Sequence, residues 1–220
     1  MAVNTSERVV FHLGDLLEPM EDRTKREHLD RYRLAAWRLP HGARALDVGC
    51  GCGYGAYLLA TQGRAGYVLA LDHDEESINY ARTHFRHPAI VFQWLDAGQI
   101  IEDAPLGEPY DAVIAFEVLE HVADPERLVR VCAENLLPRG VLFASSPVVP
   151  TTQDNPWHKR DFTPRAFRAL IRTRFVIHET LLQNESILMV SAFRQGGGVP
   201  GTLWPDAEPA ETEHGPPVQL

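Results

Sequence analysis

The chain has 220 residues, 45% of them hydrophobic, and a formal net charge of −9 at neutral pH. That length suits one domain with a modest appendage. The acidic balance excludes a broad nucleic-acid surface, which needs clustered Lys and Arg. Cys50, Cys52 and Cys132 follow no framework or zinc spacing, so a reducing compartment is expected. No leader pattern opens the chain and no apolar run reaches membrane-spanning length, so the expectation is a cytoplasmic protein without membrane contact.

Residues 1–20 carry no strong pattern. Residues 21–39 read as a helix, with Leu29, Tyr32, Leu34, Ala35 and Leu39 among many charges and Pro40-His41-Gly42 as its stop. Ala43–Val48 is a buried strand, and Tyr54–Thr61 a helix that stops before Gly63. Tyr67–Asp72 is a second strand; Glu75–Phe85 is helical, with Ile78, Ala81 and Phe85 on one face; Ile90–Leu95 is a third strand. Tyr110–Phe116 is a fourth. Asp124-Pro125 then reads as N-cap plus first helical residue of a helix to about Leu137. Pro138-Arg139-Gly140 is expected to turn into a fifth strand, Val141–Ser145. After a polar loop, Thr151–Asp161, Thr163-Pro164 opens a helix to about Arg172. Phe175–Leu182 and Ile187–Phe193 are two strands joined by Gln183-Asn184-Glu185-Ser186. From Gly196 the chain turns rich in Gly and Pro, with acids but no Lys or Arg, the composition of a disordered tail.

Strands alternating with helices imply an α/β, doubly wound parallel sheet, and the short link between the last two strands demands an antiparallel neighbour. The expected organisation is an N-terminal helical cap over 1–42, a ligand-binding domain over 43–195 and a tail over 196–220. Ligands bind such sheets outside the carboxyl ends of the strands.

At the first of those ends stands Leu46-Asp47-Val48-Gly49-Cys50-Gly51-Cys52-Gly53-Tyr54-Gly55. Glycine at every second position lets backbone N–H groups approach a ligand closely; a side chain at Gly49 or Gly51 would fill that space. The dinucleotide fingerprint is G-x-G-x-x-G, whereas here the glycines alternate and Asp47 lies just upstream. A diphosphate avoids a negative charge at that helix N-terminus, but a sulfonium or ammonium tolerates it. The run resembles motif I of class I S-adenosylmethionine (SAM) methyltransferases. The resemblance implies a Rossmann-like, mostly parallel seven-stranded sheet with a reversed last strand, and SAM as cofactor. It also implies roles for particular residues. Asp72, 23 residues after Gly49, matches the acid whose two oxygens accept from both ribose hydroxyls. His73 beside it meets the adenine. Asp96, with Ala97 after it, matches the acceptor of the adenine amino group, and Phe116 the residue lining the adenine or methionine channel. His28-Leu29-Asp30-Arg31-Tyr32-Arg33-Leu34-Ala35 resembles the helix ahead of motif I in ubiquinone-biosynthesis O-methyltransferases, where an arginine pairs with the cofactor carboxylate; Arg31 is the best match and Arg33 the alternative.

The second strong motif is Phe116-Glu117-Val118-Leu119-Glu120-His121-Val122. E-x-x-E-H here resembles the ubiquinone-biosynthesis enzymes and also the 2′-O-methyltransferases of small-RNA 3′ ends, in which two glutamates and two histidines hold a divalent metal. In one helical turn, positions i, i+3 and i+4 share a face. His158, in the loop before the Thr163 cap, supplies the second histidine, so Glu117, Glu120, His121 and His158 form the candidate ligand set. Carboxylates alone suit Mg²⁺; two imidazoles shift the preference toward Mn²⁺, Fe²⁺ or Zn²⁺. Three readings stand side by side: a metal that activates an acceptor hydroxyl, a metal-free His121 acting as base or substrate contact, and a purely structural motif in which His158 only stabilises its loop. Either way the resemblance implies methylation of a small molecule, with O-methylation favoured and N-methylation or an RNA 3′-terminal ribose as alternatives. Trp157 offers a stacking face to a planar acceptor. Oligomeric state is not addressed by any motif.

Overall fold

The computed structural model describes residues 9–16, 21–95, 106–197 and 218–219. The chain divides into two compact units, Met1–Glu102 and Asp103–Leu220. The expected tail and the pair Asp96 and Ala97 lie largely or wholly outside the described residues.

In the first unit, α1 (Arg23–Arg38) starts where the Asp22 carboxylate accepts from the Lys25 N–H, satisfying one of the open donors of a helix start. Strand β1 (Arg44–Val48) follows, then α2 (Tyr54–Thr61), β2 (Tyr67–Asp72), α3 (Glu75–His84) and β3 (Ile90–Trp94). The strands run parallel. β1 pairs with β2 from Arg44↔Tyr67 to Val48↔Leu71, and β2 with β3 from Val68↔Ile90 to Asp72↔Trp94. β1 and β2 are buried along almost their whole length, which explains their continuous apolar runs. α1 and α2 pack closely because residue 55 is glycine: a Cβ there would collide with the Tyr32 ring. Gly53 is required twice over, by φ +90° and because a Cβ would meet Ala81 Cβ at 2.6 Å.

Ahead of α1, residues 9–16 lie against this unit as a strap. Phe11 is fully buried, its ring centroid 3.9 Å from that of Tyr54. Tyr80 donates to the Phe11 carbonyl at 2.8 Å, and Lys25 Nζ bonds Asp15 at 2.9 Å beside the short turn Leu13–Leu16.

In the second unit, β4 (Tyr110–Phe116) is parallel to β5 (Leu136–Pro147). Between them, α4 (Pro125–Asn135) opens on the Asp124 cap and buries Leu128, Val129 and Cys132. α5 (Pro164–Arg172) opens on Thr163, whose hydroxyl accepts from Ala166 N–H, and buries Phe167, Leu170 and Ile171 at i, i+3 and i+4. β6 (Phe175–Gln183) and β7 (Ile187–Arg194) form a hairpin, and β7 runs antiparallel to β5. Residues 184–186 link the strands: Asn184 and Glu185 have φ of 48° and 60°, a left-handed pair, and Ser186 N–H donates back to the Gln183 carbonyl at 3.2 Å. A two-residue strand, β8 (Val218–Gln219), pairs with β6.

The expected turn at Pro138-Arg139-Gly140 is not a turn. α4 ends at Asn135 and β5 begins at once with Leu136. The pairing register jumps from Tyr110↔Leu136 to Ala112↔Val141, so residues 137–140 ride on the strand as a bulge. A bulge accommodates a proline without breaking the ladder on either side.

Candidate active site

In the first unit the glycine turn is wired into the tip of β2. The N–H groups of Gly49 and Cys50 both donate to the Leu71 carbonyl, at 2.8 and 2.9 Å. Gly51 N–H donates to Asp72 Oδ2 at 2.7 Å, and Asp74 N–H to Asp72 Oδ1 at 2.9 Å. Asp72 thus fixes the turn, while the cap of α3 is Asp74. His73 is exposed, its Nδ1 3.5 Å from Asp72 Oδ1. Gly51 has φ +53°, and a Cβ on it would enter open space, so the turn leaves room above itself.

Asp47 is completely buried at the end of β1. Tyr32 donates to its Oδ1 at 3.0 Å; its Oδ2 is buried with no hydrogen-bond partner. Burial pushes this carboxyl up to about 7, the Tyr32 hydrogen bond opposes the shift, and the Asp72 charge adds to it. A carboxylate oxygen buried without a hydrogen bond costs free energy unless a donor or a cation meets it. Arg31, on the same helix as Tyr32, is buried as well, which is rare for arginine unless it meets an anion. Phe116, the last residue of β4, is buried in the second unit.

The second unit brings Glu120, His121 and His158 together: one ligand atom from each lies within 4.8 Å of the others. The residues 117–122 are not helical, so the expected shared helix face is not what gathers them. They form a turn after β4 that starts from Glu117 in the left-handed region, φ 54°. Glu117 N–H donates to the Ser145 carbonyl at 3.1 Å and its carboxylate accepts from Ser145 Oγ at 2.8 Å. Glu117 therefore stands outside the trio. Glu120 is buried and accepts from Ser146 Oγ at 3.0 Å.

His158 arrives on the loop 151–163. That loop is docked on the turn by Lys159 N–H to the Glu120 carbonyl at 2.8 Å and Arg160 Nη2 to the Ala123 carbonyl at 2.9 Å. The two imidazoles meet edge to face, with centroids 4.6 Å apart. His121 Nδ1 is 3.3 Å from the Trp157 carbonyl, and His158 Nδ1 is 2.6 Å from Thr151 Oγ1. Asp161 closes the loop, accepting from the N–H groups of Thr151 and Thr152 and from both hydroxyls. Those bonds, the Thr151 N–H first, hold its carboxyl down at about 2. The Trp157 ring is half exposed.

Sequence reasoning missed Tyr32, Ser145, Ser146, Thr151 and Asp161 as partners of the candidate residues. The signal available was slight: Ser145-Ser146 interrupts the apolar run of β5 at its carboxyl end, where a ligand site is expected.

Residues 46–142 match the family model described as a methyltransferase domain. The chain carries a class I SAM-dependent methyltransferase domain. This methyltransferase domain is similar to the ubiquinone biosynthesis O-methyltransferase of Xylella fastidiosa, 44% identical over 107 residues, which is 48% of this chain and 42% of that protein. A protein of Mycolicibacterium smegmatis named as a SAM-dependent methyltransferase is 32% identical over 162 residues, 69% of this chain and 60% of that one. The chain spans about half the length of the curated relatives it matches. The N-methyltransferase NodS from Bradyrhizobium japonicum, solved with S-adenosyl-L-homocysteine, superposes with a TM-score of 0.62 at 17% identity, covering 79% of this chain and 87% of that chain. That likeness shows the fold, a Rossmann-like methyltransferase sheet with its last strand reversed. No helix among the described residues is long and apolar enough to cross a membrane.

Proposed function

We propose that this methyltransferase moves a methyl group from SAM to a hydroxyl of a small molecule, with a vicinal diol or catechol as the acceptor class. The observation that carries the reading is the convergence of Glu120, His121 and His158 in one cluster. An amine needs no such cluster, whereas a hydroxyl is a poor nucleophile until its proton is removed. The relatives named as ubiquinone biosynthesis O-methyltransferases support the same choice.

Bound SAM supplies an electrophilic methyl on a sulfonium. Asp47 offers its unpartnered Oδ2 to the donor's positive charge, and Arg31 a guanidinium to its carboxylate. Asp72, already anchored by Gly51 and Asp74, presents acceptor oxygens to the ribose diol, with His73 toward the adenine. Gly49 and Gly51 keep the backbone low enough for a close approach. At the other end of the reaction, the trio takes or holds the acceptor proton as the new C–O bond forms and the C–S bond breaks. Alignment for in-line displacement supplies much of the rate, on the order of 7–11 kcal/mol in favourable cases.

One carboxylate and two imidazoles also fit a divalent ion of the Mn²⁺, Fe²⁺ or Zn²⁺ type better than Mg²⁺. Such an ion would lower the pKa of a coordinated acceptor hydroxyl, leaving the protein less proton chemistry to do. The test is methyl transfer from labelled SAM to a catechol panel and to a 3′-terminal RNA oligonucleotide, each with added metal and with EDTA. Transfer to a catechol supports the reading, and loss of transfer in EDTA supports the metal. Transfer to the RNA oligonucleotide alone would replace the small-molecule acceptor by a terminal ribose.

A further inference from the structure

Two histidines of a proton-handling cluster are useful only if the right nitrogen of each bears the lone pair. A neutral imidazole has one N–H and one lone pair, and the partner of one nitrogen decides which is which. The Trp157 carbonyl can only accept. His121 Nδ1, 3.3 Å from it, makes that contact favourable by carrying the hydrogen. Its lone pair then falls on Nε2.

For His158 the deciding group is farther away. Its Nδ1 meets a hydroxyl, Thr151 Oγ1, at 2.6 Å, and a hydroxyl can give or take. The hydroxyl has one hydrogen, however, and it donates to Asp161 Oδ1 at 3.3 Å. Asp161 is an ionised carboxylate, an acceptor only, and its Oδ1 and Oδ2 already collect both backbone N–H groups of the 151–152 turn and the Thr152 hydroxyl. With the Thr151 hydrogen directed at Asp161, the oxygen lone pair faces His158, and His158 Nδ1 must donate.

We propose that Asp161 and Thr151 form a carboxylate–hydroxyl–imidazole relay that holds His158 with its hydrogen on Nδ1, as the Trp157 carbonyl does for His121, so that both rings present a basic Nε2. Asp161 and Thr151 are positioning residues, acting through His158. The relay fits either version of the cluster, since a metal and an acceptor proton both need a lone pair. It rests on the assignment of His121 and His158 to the acceptor end of the reaction.

The test reads the tautomers directly, by long-range ¹H–¹⁵N correlation on the whole 220-residue chain, ¹⁵N-labelled and metal-free, with the rings assigned through His121→Gln and His158→Gln. The expected result is a pyrrole-type Nδ1 and a pyridine-type Nε2 on both rings. In Thr151→Val the pyrrole-type signal of His158 Nδ1 is lost while His121 is unchanged, and Thr151→Ser restores it. Asp161→Asn weakens the same signal. Hydrogen on Nε2 of His158 in the wild-type protein, or a Thr151→Val spectrum identical to wild type, overturns the relay. In turnover, Thr151→Val lowers kcat by about 10–100-fold with the KM for SAM little changed, and Thr151→Ser recovers it. The spectra need no acceptor, so a protein that methylates nothing would count against the proposed function alone.

Discussion

Asp47→Asn separates the part proposed for Asp47 in cofactor binding from what it does to stability. Asp47 is fully buried, and its carboxyl rises from an ordinary 3.8 to about 7. Because the folded value lies above the unfolded one, the folded state holds the proton more tightly. The favourable contribution is complete below about pH 4 and is lost as pH rises toward 7. A shift of about three units corresponds to roughly 4 kcal/mol at neutral pH and above. Asparagine keeps the oxygen that Tyr32 bonds but places an amide where Oδ2 stood, with two donors to satisfy, at a cost of about 1–3 kcal/mol. At pH 5 the variant is therefore expected to equal the wild type or fall slightly below it, and at pH 8 to exceed it by about 1–3 kcal/mol, from the difference of those two figures. For a protein of this size about 1 kcal/mol moves Tm by roughly 2–4 °C, so the gap is readable by calorimetry of the ligand-free protein. Isothermal titration with S-adenosylhomocysteine should at the same time show weaker binding. A Tm difference that stays constant between pH 5 and pH 8 would refute the reasoning, because Asp47 would then titrate like an exposed acid.

Asp72→Ala removes the acceptor for both Gly51 and Asp74 N–H groups, and a drop in S-adenosylhomocysteine affinity of at least tenfold by calorimetry is expected. Gly55→Ala forces α1 away from α2 against the Tyr32 ring, and chemical denaturation should register a loss of about 1–3 kcal/mol. Phe11→Ala empties a fully buried ring site beside Tyr54 and should lower stability by about 3–5 kcal/mol. If an ion sits on the trio, His158→Ala and EDTA should each remove it, as measured by elemental analysis of the purified protein, and full activity in chelator would leave His121 as the base.

The elements most easily read from the residues were those whose pattern is local. Tyr54–Thr61, Tyr67–Asp72 and Tyr110–Phe116 lie where periodicity places them, and the expected caps Asp124 and Thr163 are set by side chains bonding their own next turn. β5 was harder, because Leu136-Leu137-Pro138 reads as a helix end and a turn unless the bulge against β4 is known. In the second unit, Glu120, His121 and His158 were legible as residue types, but not how they meet. E-x-x-E-H fits a helix by spacing, and what overrides the helix is Glu117, tied to Ser145 through both backbone and side chain with a left-handed φ. Partners such as Tyr32 for Asp47 and Thr151 for His158 come from tertiary pairing, which no spacing rule reports.

The strap has a practical consequence for anyone cutting this protein down to size. The family match begins at residue 46, which invites a shortened version starting near there. Such a version would lose the tyrosine that bonds Asp47, the phenylalanine that covers Tyr54 and the carbonyl of Val9 that caps the Cys52 thiol. Asp47, fully buried in the intact molecule, would lose part of its cover, and bulky affinity tags belong elsewhere than against Val9.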